Sequence, residues 1–126
     1  MDVRVLIVDD QEPYRRAMAA VVEATDGFAV VGTAVTGEES LDAVAELRPD
    51  LVLMDVNLPG LDGVEATRRL AGRRDGPVVL LLSTYDVDQV EIEGSGAAAY
   101  VPKAELGPDR LSAVWREARG RLLDRG

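Results

Sequence analysis

The chain has 126 residues, 47% of them hydrophobic, which is enough to bury one core without staples, so a single domain over residues 1–126 is expected. The 23 acidic residues outnumber the 14 basic ones and leave a formal charge of −9, which opposes binding of nucleic acid or an anionic membrane by this domain alone. With no cysteine and no histidine, disulfide frameworks, thiolate metal sites, the usual zinc sites and serine–histidine catalysis are excluded.

Along the chain, aliphatic runs alternate with helical patterns. Val3 to Val8 is apolar except for Arg4 and reads as a strand. Pro13 suits the first turn of a helix that carries Tyr14, Ala17, Met18, Val21 and Val22 on one face, and Gly27 can end that unit. Phe28 to Ala34 reads as the second strand. Thr36 with Glu39 three residues later makes a capping-box pattern for a helix using Leu41, Val44, Ala45 and Leu47, which Pro49 stops. Leu51 to Met54 is the third strand, followed by a loop with Pro59 and Gly60 and by Asp62, which can cap a helix through Val64, Ala66 and Leu70. Val78 to Leu82 has the continuous apolarity of a strand covered on both faces, and Ala98 to Val101 is a weaker fifth strand. Gly107 and Pro108 open a last helix with Leu111, Val114, Trp115, Ala118 and Leu122 on one stripe.

This alternation implies right-handed crossovers and helices on both faces of a parallel sheet. For five strands the expected fold is α/β, doubly wound and flavodoxin-like in the order 2-1-3-4-5, with a crevice where strands 1 and 3 diverge. The strand ends of such a sheet lie along one edge. Asp9 and Asp10, Asp55, Ser83 and Thr84, and Lys103 each follow an aliphatic run, so they converge there. Lys103 is the only lysine in the chain.

Three carboxylates in one cleft repel each other unless a cation lies among them. All the candidate ligands are oxygens, which favours magnesium or manganese over zinc or copper. A lysine ammonium beside such a metal acts as a point-charge clamp for phosphate, and a hydroxyl can donate a hydrogen bond to it. Asp55 is the best candidate nucleophile, because a carboxylate can accept a phosphoryl group as an acyl phosphate and needs no base to ionise it.

The segments VLIVDD (5–10), LVLMDVNLPGLDGVEATRRL (51–70), LLLSTYD (80–86) and AAAYVPK (97–103) resemble the response-regulator receiver domains of two-component signalling. VVGTAVTGEESL and LSTYD look most like the NarL/FixJ branch, whose receivers are joined to a C-terminal LuxR-type helix-turn-helix. The resemblance implies that Asp55 is the phosphoacceptor, that Asp9, Asp10 and Asp55 place Mg2+, and that the backbone carbonyl of Asn57 completes the metal shell. It further implies that Ser83 and Lys103 contact the phosphoryl group, that Ser83, Thr84 and Tyr100 form the switch, and that Asn57 and Tyr85 tune loss of the phosphoryl group. The implied partner is a sensor histidine kinase, and the implied output is transcriptional, through a DNA-binding domain outside this chain.

Two rival readings use the same residues. A magnesium-dependent aspartyl phosphatase usually has a second Asp two residues after the nucleophile, where this chain has Asn57, so turnover of a foreign substrate is not expected. The other rival is an interaction module that works without phosphorylation. It draws on a departure from the family: the stretch between Ser83 and Lys103 is slightly short. Val87 to Glu93, with Asp88 and Glu91, runs straight into Gly94, Ser95 and Gly96, and a short or irregular fourth helix is expected there. A homodimer is therefore expected to use the first and fifth helices, which offer Arg15, Arg16, Arg116, Arg119 and Arg121. With no apolar export segment and no apolar run approaching membrane-spanning length, a cytoplasmic location is the default.

Overall fold

Each aliphatic run forms a strand, and the strands stack in parallel in the order β2-β1-β3-β4-β5. The computed structural model describes residues 2–73, 75–84 and 93–124, with the side chains of the last three excepted. The strands are β1 (Val3–Val8), β2 (Phe28–Ala34), β3 (Leu51–Asp55), β4 (Val78–Ser83) and β5 (Ala99–Pro102). Four helices lie among the described residues: α1 (Glu12–Glu23), α2 (Gly37–Leu47), α3 (Gly63–Ala71) and α4 (Pro108–Asp124), the last being the helix expected as the fifth. The expectation for Val87 to Glu93 falls almost wholly outside the described residues, as does Tyr85.

Period-two alternation divides the core between the two faces of the sheet. Leu6, Val8, Val52, Met54, Val79 and Leu81 face one way and pack with Val44 of α2 and Val64, Ala66 and Leu70 of α3. Val5, Ile7, Leu51, Leu53, Leu80, Leu82 and Val101 face the other way, onto Met18 and Val22 of α1 and Leu111 and Val114 of α4. Every residue of the central strand β3 is buried, as a continuous apolar run on a doubly covered sheet requires. Each such buried leucine contributes about 2 kcal/mol relative to exposure.

The helix boundaries follow their local chemistry. Thr36 accepts from the Glu39 backbone N–H at 3.0 Å, and the Glu39 carboxylate accepts from Val35 N–H at 2.9 Å. Asp62 caps α3 by accepting from Glu65 N–H at 2.8 Å. Some details differ from the sequence reading. The fifth strand runs one residue later, to Pro102, which an edge strand tolerates because its outer N–H positions need no partner. Ala17 and Ala45 are exposed rather than on the core stripes, whereas Ser40 is buried with its hydroxyl donating to the Gly37 carbonyl at 2.6 Å. Two of the surface arginines are engaged within the fold, Arg15 on the Asp9 carbonyl at 2.9 Å and Arg121 on the Ala98 carbonyl at 2.8 Å. Trp115 is half-buried and meets Phe28 edge-on, with ring centroids 6.4 Å apart.

Candidate functional site

The same alternation that divides the core also aims the site. Ile7 leads to Asp9, Leu53 to Asp55 and Val101 to Lys103, so these three side chains leave the sheet edge on the side of α1 and α4. Residues separated by 94 positions thereby meet: Lys103 Nζ donates to Asp9 Oδ2 at 2.6 Å and lies 3.5 Å from Asp55 Oδ2. The remaining oxygens are also directed, Asp9 Oδ1 by the Gln11 N–H at 2.9 Å and Asp55 Oδ1 by the Asn57 N–H at 3.3 Å. Asp9 and Asp55 are buried, whereas Asp10 and Asn57 stand exposed at the mouth.

Asp55 carries the electrostatic signature of the cleft. Burial first, then the Asp9 charge beside it, push its carboxyl up to about 6, against the pull of Lys103 and the Asn57 N–H. One carboxylate oxygen each from Asp9, Asp10 and Asp55 lie within 4.8 Å of one another. Both Asp9 oxygens already accept hydrogen bonds, while exposed Asp10 makes none among the described residues. A cluster made only of oxygens, with one uncommitted carboxylate at the solvent edge, fits a hard cation that keeps part of its water shell.

Ser83 and Tyr100 lie on the opposite face of the sheet. Leu81 pairs with Tyr100 and Ser83 with Pro102, so the buried Ser83 is the diagonal neighbour of Tyr100, whose half-buried ring packs against the α2 and α3 side of the core. Thr84 is exposed beside them.

Three contacts have no counterpart in the sequence reading. A side chain at Gly63 would overlap the Asp55 carbonyl, so only glycine lets α3 begin this close to the end of β3. Glu38, in the first turn of α2, accepts from Leu61 N–H at 2.6 Å, and Gly37 abuts the Leu61 carbonyl. Tyr14 holds its ring 3.8 Å from Lys103 Nζ. A glycine after Asp62 and an acid in a first helical turn are visible in the sequence, but neither signals a long-range contact.

The model of the response regulator receiver domain family matches residues 5–115. The chain is 41% identical over 114 residues to the response regulator GacA of Pseudomonas viridiflava, covering 89% of this chain and 53% of that protein. It is 34% identical over 131 residues to a protein-glutamate methylesterase/protein-glutamine glutaminase of Alkalilimnicola ehrlichii, covering 100% of this chain and 33% of that protein. The chain thus spans between a third and just over half of these relatives. Among solved structures, the signal receiver domain of a response regulator designated NarL from Mycobacterium tuberculosis superposes with a TM-score of 0.85 at 27% identity, covering 94% of this chain and 98% of that one. A LuxR-family response regulator from Aurantimonas does so at 0.84 and 28%, covering 95% and 87%. NarL- and LuxR-type receivers are therefore among its neighbours, as the motifs implied, with methylesterases among its relatives as well. The order of the strands, the edge at which the acids and the lysine meet, and the match over residues 5–115 agree: the chain belongs to the response regulator receiver domain family.

Proposed function

We propose that the domain is a phosphorylation-driven switch in which Asp55 accepts a phosphoryl group from a sensor histidine kinase. The observation that carries this reading is the Lys103 ammonium between the buried Asp9 and Asp55 carboxylates, with Asp10 at the mouth of the same oxygen cluster. In the reaction an Asp55 oxygen attacks phosphorus, the bond to the donor breaks, and an acyl phosphate forms. Asp10 and Asp55, with Asp9 behind them and the Asn57 carbonyl alongside, would hold Mg2+. When bound, the ion supplies positive charge that offsets the repulsion between the carboxylates and the incoming phosphoryl oxygens.

The response follows from local charge. A phosphoryl group on Asp55 draws the Ser83 hydroxyl and the Lys103 ammonium toward it, and displacement of Ser83 opens space toward which Tyr100 turns, with Thr84 at the rim of that path. One charge-assisted hydrogen bond contributes about 1.5–3 kcal/mol, which shifts a two-state ratio by about 10- to 150-fold when it favours one state alone. On this reading Asn57 and Tyr85 tune loss of the phosphoryl group, as the family resemblance implies. The domain signals rather than turning over a foreign substrate, and its output is transcriptional control through a further domain. Several relatives with those printed roles support that step, among them the transcriptional regulatory protein LiaR of Bacillus subtilis.

Magnesium-dependent labelling by acetyl phosphate tests the reading. We expect one base-labile phosphoryl group on the parent and none on Asp55→Asn. Persistent labelling of Asp55→Asn would remove Asp55 from the role.

A further inference from the structure

We propose that Tyr14 is a positioning residue for Lys103, its ring holding the ammonium in the place where it bridges Asp9 and Asp55. The inference rests on the reading of Asp55 as phosphoacceptor and adds a residue to it.

The ammonium has three N–H groups and a tightly defined surrounding. One is taken by Asp9 Oδ2 at 2.6 Å, and Asp55 Oδ2 lies at 3.5 Å. The Tyr14 ring centroid lies 3.8 Å from Nζ, inside the range in which a cation is attracted to the negative face of an aromatic ring. The lysine side chain is 8% exposed, so solvent screens this attraction little. The Tyr14 hydroxyl makes no hydrogen bond among the described residues, which leaves the ring as the part of the side chain that acts on the lysine.

The ring is itself held by the start of α1. Pro13 stands in the first turn of the helix, and Tyr14 N–H donates to the Gln11 carbonyl at 3.1 Å. The same short segment therefore fixes Asp9 through the Gln11 N–H and Lys103 through the Tyr14 ring. What the ring prevents is visible beside it. A cavity of about 230 Å³, lined by Tyr14, Ala17, Met18, Val21, Thr84 and Lys103 among others, gives the flexible lysine stem room to swing away from the carboxylates. A carboxylate pair alone attracts the ammonium but does not orient it. With the ring behind it, the charge faces the side on which a phosphoryl group would be added to Asp55.

Because residues 1–126 contain one lysine, this 126-residue chain labelled with [ε-13C]lysine reports Lys103 as a single signal. In the parent and in Tyr14→Phe we expect its Hε protons to be shifted upfield by the ring current. In Tyr14→Leu the shift should vanish, with Tyr14→Met as a second ring-free variant should the leucine protein fail to fold. Labelling by acetyl phosphate with magnesium, followed against donor concentration, should lose about 2- to 5-fold in efficiency in the ring-free variants and be restored in Tyr14→Phe. Absence of the upfield shift in the parent overturns the proposal. So does unchanged labelling efficiency in Tyr14→Leu, or a loss in Tyr14→Phe equal to that in Tyr14→Leu. A parent that accepts no phosphoryl group overturns the reading of Asp55 instead, and the lysine signal still decides the role of Tyr14.

Discussion

Replacing Asp55 with asparagine should stabilise the metal-free domain, and by an amount that grows with pH. The buried carboxyl titrates near 6 in the fold against an ordinary value of 3.8, so its ionised form is disfavoured by burial and by Asp9 more than Lys103 and the Asn57 N–H favour it. For an acid whose value is raised on folding, the native state holds more protons than the unfolded state between those two values. Stability therefore falls as pH rises from 3.8 through about 6, and the full cost persists above that window. A difference of about 2 pKa units corresponds to about 3 kcal/mol at pH 7.5, and to about half of that at pH 5. The amide of Asp55→Asn carries no charge and keeps one oxygen, which can face Lys103 or the Asn57 N–H but not both, so the variant should exceed the parent by at most roughly those amounts, or about 10 °C in melting temperature at pH 7.5. Urea melts in EDTA, read by the fluorescence of the single tryptophan, Trp115, measure both gaps. Saturating magnesium should narrow the pH 7.5 gap by stabilising the parent. A gap that stays constant from pH 5 to 7.5, or an asparagine variant less stable than the parent, would refute the assignment of Asp55 as a carboxylate held in an unfavourable site.

Lys103→Met should destabilise the domain by about 3 kcal/mol at pH 7.5, since it leaves the buried Asp9 and Asp55 without their shared cation; denaturant titration at pH 5 and 7.5 should show the smaller loss at the lower pH. Gly63→Ala should cost more than about 2 kcal/mol, because its methyl group would overlap the Asp55 carbonyl, whereas Gly120→Ala, with open space around it in α4, should add about 0.8 kcal/mol; thermal melts of the two decide whether the close approach is as tight as described. Asp10→Ala should weaken magnesium binding at least about 10-fold by titration calorimetry, whereas Asp62→Ala should cost about 1 kcal/mol of stability as a lost helix cap and leave the metal affinity unchanged; equal effects on affinity would displace the metal from the proposed site.

Much of the fold and the core of the site are legible in the sequence because both depend on strand ends and on period-two alternation, which are properties of single segments. Val3–Val8 and Leu51–Asp55 declare themselves by composition, and topology then brings Asp9 and Asp55 to one edge. Lys103 is legible for the same reason, although its pairing with Asp9 rather than chiefly with Asp55 depends on the side-chain path across β5. Tyr14 reads only as part of the apolar face of α1, since its spacing with Met18 and Val21 is that of any core stripe, and nothing local announces a cation above its ring. Gly63 and Glu38 escape notice for a related reason. Their importance lies in how closely α2 and α3 approach the β3–α3 loop, a distance set by tertiary packing. The surface arginines are legible only in part, because whether a guanidinium is free depends on carbonyls that sequence does not place near it, as Arg15 and Arg121 show.

The contacts around the β3–α3 loop also make the cleft mechanically lopsided. Glycine at 37 and 63 lets two helices abut the loop through backbone atoms, and Glu38 ties it down by a third point, so that wall has almost no compliance. The opposite wall is Lys103 on a four-carbon stem beside an edge strand, held by two carboxylates and the Tyr14 ring rather than by backbone contact, and is the softer of the two. A bulky anion added between a stiff jaw and a soft one moves the soft one. On the proposed reading, the recoil from phosphoryl transfer to Asp55 would be channelled toward β4 and β5, and the stiffness of α2 and α3 would decide where the domain changes shape as much as any residue that moves.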